Sequence, residues 1–327
     1  MAESVIVCGA GAVTPLGLGL AQTAANVRAG LSAAAESDQS DAEGSRVVVA
    51  ALPWSLLPLV TMPAATPLRE QELVRLASGA LAQAMQGVPA DHAPVPTWCA
   101  WSARDAGLPL SVDRCAALLG PRTAVQATLQ GSAGGLLAVA AAAAWISEQG
   151  GLAVVVAADS NIHPFILATL VRDGRVKTDW QPEGLIPGHG AAALLLGDGA
   201  TVARLGLTVL GTIAGTGSAN DPHAEPRGDG LAAAIRLAVG DAGQPVRAWW
   251  TTMSGERAQA QEHSTAQIRS ADRLASDIAV HHLAMNLGDT GAAAALLATA
   301  LALSSTVRPV LISATADDAQ RAALLLA

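Results

Sequence analysis

The sequence predicts an α/β layered fold built in two halves, and three features carry that expectation. Short apolar runs of strand character alternate with helical patterns along the chain. Two of the runs, residues 153–158 and 191–196, are apolar at every position, the mark of strands buried on both faces. A break near residues 197–201 precedes a second set of strands and divides the chain into residues 1–200 and 201–327.

Taken in order, residues 5–8 read as a strand, 9–17 as a glycine-rich turn and 21–28 as a helix. Polar, acidic residues 36–45 read as an exposed loop. Residues 69–85 carry the spacing of an amphipathic helix, and Pro89, Pro94 and Pro96 interrupt the chain after it. A strand over 124–129 leads into a run of small residues, Gln130-Gly131-Ser132-Ala133-Gly134-Gly135, and an alanine-rich helix over 135–147. In the second half, strands begin over 202–213, and a helix over 231–242 ends at Gly243 as its C-cap. A short strand over 249–253, a helix over 291–303 and a strand over 309–313 complete the pattern.

Hydrophobic residues make up 51% of the 327 positions and charged residues 14%, so a large core with helices buried on most sides is expected. The longest apolar runs, 133–146 and 292–303, are too short to span a bilayer and read as core helices. The chain enters its first strand soon after Glu3, unlike a signal or transit peptide. Cys8, Cys99 and Cys115 have no paired spacing, which points to reduced thiols in the cytoplasm, not disulfides or a zinc site. A net charge of −8 argues against nonspecific binding to nucleic acid or anionic lipid. Lys177 is the sole lysine.

Gly9-x-Gly11 after the first strand resembles a dinucleotide fingerprint, but Thr14 stands at the third glycine and Pro15 obstructs a helix opening there. A structural turn is the expectation, and no cofactor is expected. His281 and His282 are adjacent, diverge on any regular element and lack a third ligand, so no metal is expected either.

The strand, tight glycine turn and helix around Ser132 form a nucleophile-elbow layout, with unpaired N–H groups at the helix N-terminus that favour negative charge. A serine nucleophile needs a general base within reach. Without one, Ser132 is expected to fit the turn and cap the helix. Asp289 with Thr290 is placed to cap the helix over 291–303, and Asp221 with His223 to form a local hydrogen-bonded turn.

Four segments resemble the β-ketoacyl synthases of the thiolase superfamily. They are Val5-Ile6-Val7-Cys8-Gly9-Ala10-Gly11-Ala12-Val13-Thr14-Pro15-Leu16-Gly17; the stretch from Glu183 through Gly188-His189-Gly190 to Leu196; Gly215-Thr216-Gly217-Ser218-Ala219-Asn220-Asp221-Pro222-His223 with Pro226, Gly228 and Gly230; and Asn286-Leu287-Gly288-Asp289-Thr290-Gly291-Ala292-Ala293. The resemblance implies a layered αβαβα fold of two related halves, shortened here between Met85 and Ala124. It also implies where the catalytic cysteine, two histidines and supporting lysine would stand. Those positions fall on Ser132, near Thr251, on Asp289 and near Ala284, and His189 replaces a glutamate. In place of the family's Gly-Phe-Gly-Gly turn stands Ser313-Ala314-Thr315-Ala316-Asp317-Asp318. The histidines at 92, 163, 189, 223, 263, 281 and 282 do not align with the catalytic pair.

Decarboxylative condensation needs an easily ionised nucleophile and neutral or cationic donors around the developing enolate. Serine and aspartate at those positions oppose it. The resemblance is closest to the chain-length-factor subclass, which lacks the cysteine and pairs with an active ketosynthase in polyketide, aryl-polyene or fatty-acid-type pathways. It implies a heterodimer formed through the strand Ala124, Val125, Gln126, Ala127, Thr128, Leu129, with acyl carrier protein served mainly by the partner. The competing expectations are a serine-dependent acyltransferase or thioesterase using Ser132, and a stand-alone acyl-binding scaffold.

Overall fold

In the computed structural model, residues 4–102, 104, 111–120, 123–129, 131–223, 227–240 and 244–327 are described. Gln130, Pro226 and the expected cap Gly243 lie outside the described residues. The chain begins with β1 (Val5–Val13), α1 (Leu20–Arg28), a hairpin of β2 (Ala34–Ser40) and β3 (Arg46–Ala50), and α2 (Leu68–Ala84). Next come β4 (Val95–Trp101), α3 (Val112–Leu118), β5 (Thr123–Leu129), α4 (Gly134–Gln149), β6 (Leu152–Ser160), α5 (Pro164–Arg172), β7 (His189–Gly197) and α6 (Gly199–Leu205). The remainder is β8 (Gly211–Asn220), α7 (Asp229–Val239), β9 (Val246–Thr251), α8 (Arg257–Arg269) and β10 (Leu274–His282). It closes with α9 (Ala284–Leu287), α10 (Ala294–Leu303), β11 (Val310–Thr315) and β12 (Gln320–Leu326).

The large sheet runs β10-β9-β11-β12-β8-β1-β7-β6-β4-β5, and its two arms repeat one pattern outward from the β8–β1 join. In each arm two antiparallel pairings are followed by two parallel ones. The register repeats as well. Ala10, Leu194, Val155, Trp98 and Gln126 form one row of partners, and Thr216, Leu324, Ile312, Trp250 and His281 form its counterpart. The inward residues of both rows meet α4 and α10 in one core, while α2 and α7 cover the outer faces. This is the expected αβαβα layering.

Glycine explains how the outer helices come so close. A Cβ on Gly9 or Gly11 would collide with the carbonyl oxygens of Ala84 and Ala80 on α2. On Gly215 or Gly217 it would collide with those of Ala238 and Ala234 on α7. The expected turn over 9–17 is therefore corrected: Gly9 to Val13 continue β1, and glycine there serves helix-on-strand approach. Residues 36–45 are likewise not loop throughout, since their first part pairs in the β2–β3 hairpin. Residues 202–205 are helix, because Asp198 caps α6 by accepting from Thr201 N at 2.8 Å, and the second strand set starts at Gly211. The helix α7 ends earlier than expected, at Val239, with Gly240 at φ 59°.

The segment Gly131–Gln149 is, by length and apolarity alone, enough to cross a membrane, which corrects the expectation that the run there is too short. Its Leu136, Val139, Ala142 and Ile146 are packed in the central core, the environment of a buried helix. All three cysteines are buried and stand outside any disulfide. Burial pushes the Cys8 thiol up to about 12 and the Cys99 thiol higher still, so neither ionises readily.

His263 on α8 is buried against Trp249, ring centroids 5.5 Å apart, with neither ring nitrogen hydrogen-bonded in the structure. Desolvation pushes its pKa from 6.5 down to about 3. The unfolded chain takes up this proton as pH falls through 6.5 while the folded chain refuses it until near 3. Stability from this residue is thus present above 6.5 and lost on acidification, by on the order of 4 kcal/mol across the window. His263→Phe is expected to flatten the fall in urea-unfolding stability between pH 6.5 and 4; an unchanged pH slope would show that the imidazole is not held neutral.

Candidate functional site

Gly131, at φ 54°, opens a 3-10 turn over Gly131–Ala133, and α4 follows from Gly134. Gly291, at φ 52°, opens a matching turn over Gly291–Ala293 before α10. The two turns face each other at the centre of the molecule. Ser132 sits within the first of them. The N-cap of α4 is Ala133 and no side chain caps it, so the expected capping role of Ser132 is corrected.

Gly131, Ser132, Gly291 and Ala292 line a cleft with Ser102, Arg104, Asp159 and the Ala316-Asp317-Asp318 turn after β11. Its volume is about 20 Å³, room for one water molecule. Among the described residues, no histidine, cysteine or lysine lines it. Among the described residues, no base is hydrogen-bonded to the Ser132 hydroxyl.

Arginine and carboxylates bind one another along this cleft. Arg104 donates to both Asp317 oxygens, at 2.9 and 3.2 Å, to Asn161 Oδ1 at 2.8 Å and to Asp289 Oδ2 at 3.2 Å. Arg175 holds Asp317 from the other side, at 3.0 and 2.9 Å, and grips Glu256 at 2.8 and 2.9 Å. Burial alone would raise the Asp317 pKa, yet the two guanidiniums hold it well below the usual carboxylate range. Asp289 goes the other way: its desolvation outweighs a single bond from Arg104, and its pKa is raised.

The donors at the start of the α10 segment are also spent. Gly291 N donates to Asp289 Oδ1 at 2.9 Å, but the N-caps are Thr290 for the turn and Ala293 for α10, each without a side-chain cap, so the expected capping by Asp289 and Thr290 is corrected; Ala292 N donates to Asp159 Oδ2 at 2.9 Å. Asp159 is in turn held by Arg69 Nη2 and by Ser160 N, each at 2.7 Å. An oxyanion arriving there would find these N–H groups already bound to the protein's own carboxylates.

His189, at the glutamate position, is structural. Its Nε2 accepts from Leu52 N at 2.7 Å, which leaves the proton on Nδ1, 3.3 Å from Glu72 Oε1. Desolvation would raise the Glu72 pKa, but bonds from His189 and Ser160 hold it below its ordinary value.

The four positions singled out in the sequence, 132, 251, 284 and 289, are only partly brought together. Ser132 lines the cleft and Asp289 reaches its wall through Arg104. Thr251, at the end of β9, bonds His282 Nδ1 at 3.0 Å, and Ala284 opens onto a separate cavity of about 230 Å³ beside His282 and Met253. His281 stacks on Trp250 instead, and His223 N bonds Asp221 Oδ1 at 3.0 Å, forming the expected local turn. The strand Ala124–Leu129 lies within β5, which pairs along its whole length with β4 and forms one end of the sheet, with Gln126 exposed. Sequence reasoning missed Arg104, Asp159, Arg175 and Glu256. Their signal was faint: charge in a charge-poor chain.

No protein-family model matches the chain, and no curated protein shows significant sequence similarity to it. Solved structures do resemble it. The ishigamide ketosynthase/chain length factor superposes with a TM-score of 0.82 at 19% identity, covering 100% of this chain and 99% of that one. The AntDE:AntF structure, a type II polyketide synthase acyl-carrier protein in complex with its ketosynthase bound to the hexaketide, gives 0.80 at 16% identity, covering 100% and 99%. A β-ketoacyl synthase from Burkholderia phymatum STM815 gives 0.75 at 17% identity, covering 99% of each chain. The fold is therefore the thiolase-like fold that ketosynthases and a ketosynthase/chain length factor share.

Proposed function

We propose that this chain is a noncatalytic, chain-length-factor-like subunit that pairs with an active β-ketoacyl synthase. One observation carries the reading: the cleft at Ser132 has room for a single water and is closed by the Arg104–Asp317–Asp289 cluster. A serine acyltransferase would need a base beside the hydroxyl and free donors for an oxyanion. Among the described residues no histidine lines the cleft, its Asp159 and Asp317 carboxylates are held by arginines, and the Gly291 and Ala292 N–H groups are bound to carboxylates. The two halves, 1–200 and 201–327, form one scaffold whose β5 edge offers unpaired backbone groups to the partner. Acyl carrier protein would then deliver its chain to the partner's nucleophile, and this subunit would wall the acyl tunnel at the interface.

Co-expression with a ketosynthase encoded beside it tests the reading. The chain is expected to co-purify as a heterodimer, and Ser132→Ala is expected to leave product formation within about twofold of wild type. Loss of product in Ser132→Ala would overturn the noncatalytic assignment, as would elongation of an acyl thioester by the purified chain alone.

A further inference from the structure

The near-perfect match between the two arms has one gap, and the gap is a cavity. In the first arm the inward ring of Trp98 on β4 is covered by Trp145 of α4, centroids 5.9 Å apart and planes tilted by 57°. Trp250 on β9 holds the equivalent place in the second arm. Trp145 lies fourteen residues beyond Gly131, and fourteen beyond Gly291 stands Ser305. The helix α4 continues to Gln149, whereas α10 stops at Leu303, so α10 delivers no ring onto Trp250, and the ring stacked there is His281 of β10.

What remains is a groove of about 580 Å³, within the range of small-molecule sites and far larger than the cleft at Ser132. Trp250 and His281 make its aromatic wall, stacked at 4.4 Å with planes 21° apart. Burial lowers the His281 pKa below its usual value, so at neutral pH this ring acts as an uncharged aromatic surface. Ala24, Val27 and Leu301 supply apolar contact, and Ser304 and Ser305 supply hydroxyls. Arg28 stands in the same lining; its Nη1 donates to Ser304 O at 3.5 Å, and among the described residues no carboxylate lies within 4.0 Å of it.

We propose that this groove binds a planar aromatic acid, with the ring against Trp250 and His281 where the first arm places Trp145, and the carboxylate toward Arg28. A ring suits this vacancy because its counterpart in the first arm is filled by one. The guanidinium at its edge, with no carboxylate within 4.0 Å among the described residues, selects an anion over a neutral ligand. The inference does not depend on the role proposed for Ser132 or on pairing with a ketosynthase.

Titrating the full chain with 2-naphthoate by calorimetry tests it, with 2-naphthylmethanol and octanoate as comparison ligands. Saturable one-to-one binding of 2-naphthoate is expected, with octanoate at least tenfold weaker. Arg28→Ala should weaken 2-naphthoate about tenfold and leave 2-naphthylmethanol unchanged. Ser305→Trp, or Ala279→Trp from the exposed β10 wall, should abolish binding by filling the groove. The two variants enter from different elements, so a folding failure in one leaves the other informative. Absence of saturable binding up to millimolar ligand would overturn the proposal, including the case in which a partner protein covers the groove. So would octanoate binding as tightly as 2-naphthoate, binding undiminished in the filled variants, or equal effects of Arg28→Ala on the acid and the alcohol.

Discussion

Gly291→Ala is expected to cost about 4 kcal/mol, read as a large drop in the urea-unfolding midpoint with little change in slope. Two causes add. At φ 52° the backbone is in the left-handed region, where an alanine is strained by roughly 1–2 kcal/mol. The new Cβ would also collide with Asp159 Oδ2. That carboxylate cannot step aside without loss, because it is fully buried and bound to Arg69, Ser160 N and Ala292 N. Moving it leaves a buried guanidinium and a buried N–H short of partners. A measured loss below about 1 kcal/mol would show that the junction between the two turns yields easily, contrary to the packing described.

Arg69→Met is expected to be comparably severe, about 3–5 kcal/mol, the usual cost of removing one partner from a buried ion pair. Arg69 is 4% exposed and donates to Asp159 Oδ1 at 2.7 Å and Ser160 O at 2.8 Å, with Glu72 Oε2 at 3.7 Å. Methionine fills much of the volume but leaves Asp159 and Glu72 buried without their cation. The double variant Arg69→Met/Asp159→Asn should be less destabilised than the sum of the singles, since the second change removes a charge the first stranded. Strict additivity would place the stability of this region elsewhere.

Much of the fold was legible in local pattern. Residues 153–158 and 191–196 are strands because nothing in them can tolerate water, and they stand at the middle of one arm as β6 and β7. The turn at Gly131 was legible too, since consecutive small residues between a strand and a helix admit few other conformations. Other elements carried weaker signals. β12 and β10 were not anticipated, and α8 is too evenly polar to show a face. The glycines at 9 and 11 were read as a turn because their purpose is fulfilled by a helix some seventy residues away.

The site divides the same way. The absence of cysteine at the apex and of histidine at Asp289 is a property of residue identity and needs no coordinates. That the space beside Ser132 is narrow is a different kind of fact. Arg104 meets Asp289 across 185 positions and Asp317 across 213, and neither partner could be chosen from spacing. The groove beside Trp250 is decided in the same manner, by where α10 happens to stop relative to a ring on another strand.

By itself, then, the sequence determined the layered architecture and the residue types at the glycine turn, because hydrophobic periodicity and side-chain chemistry are local properties. Only the tertiary structure decided what surrounds them. Ion pairing and cavity volume depend on distances between residues far apart in the chain, and those distances exist only once the arms have closed around α4 and α10.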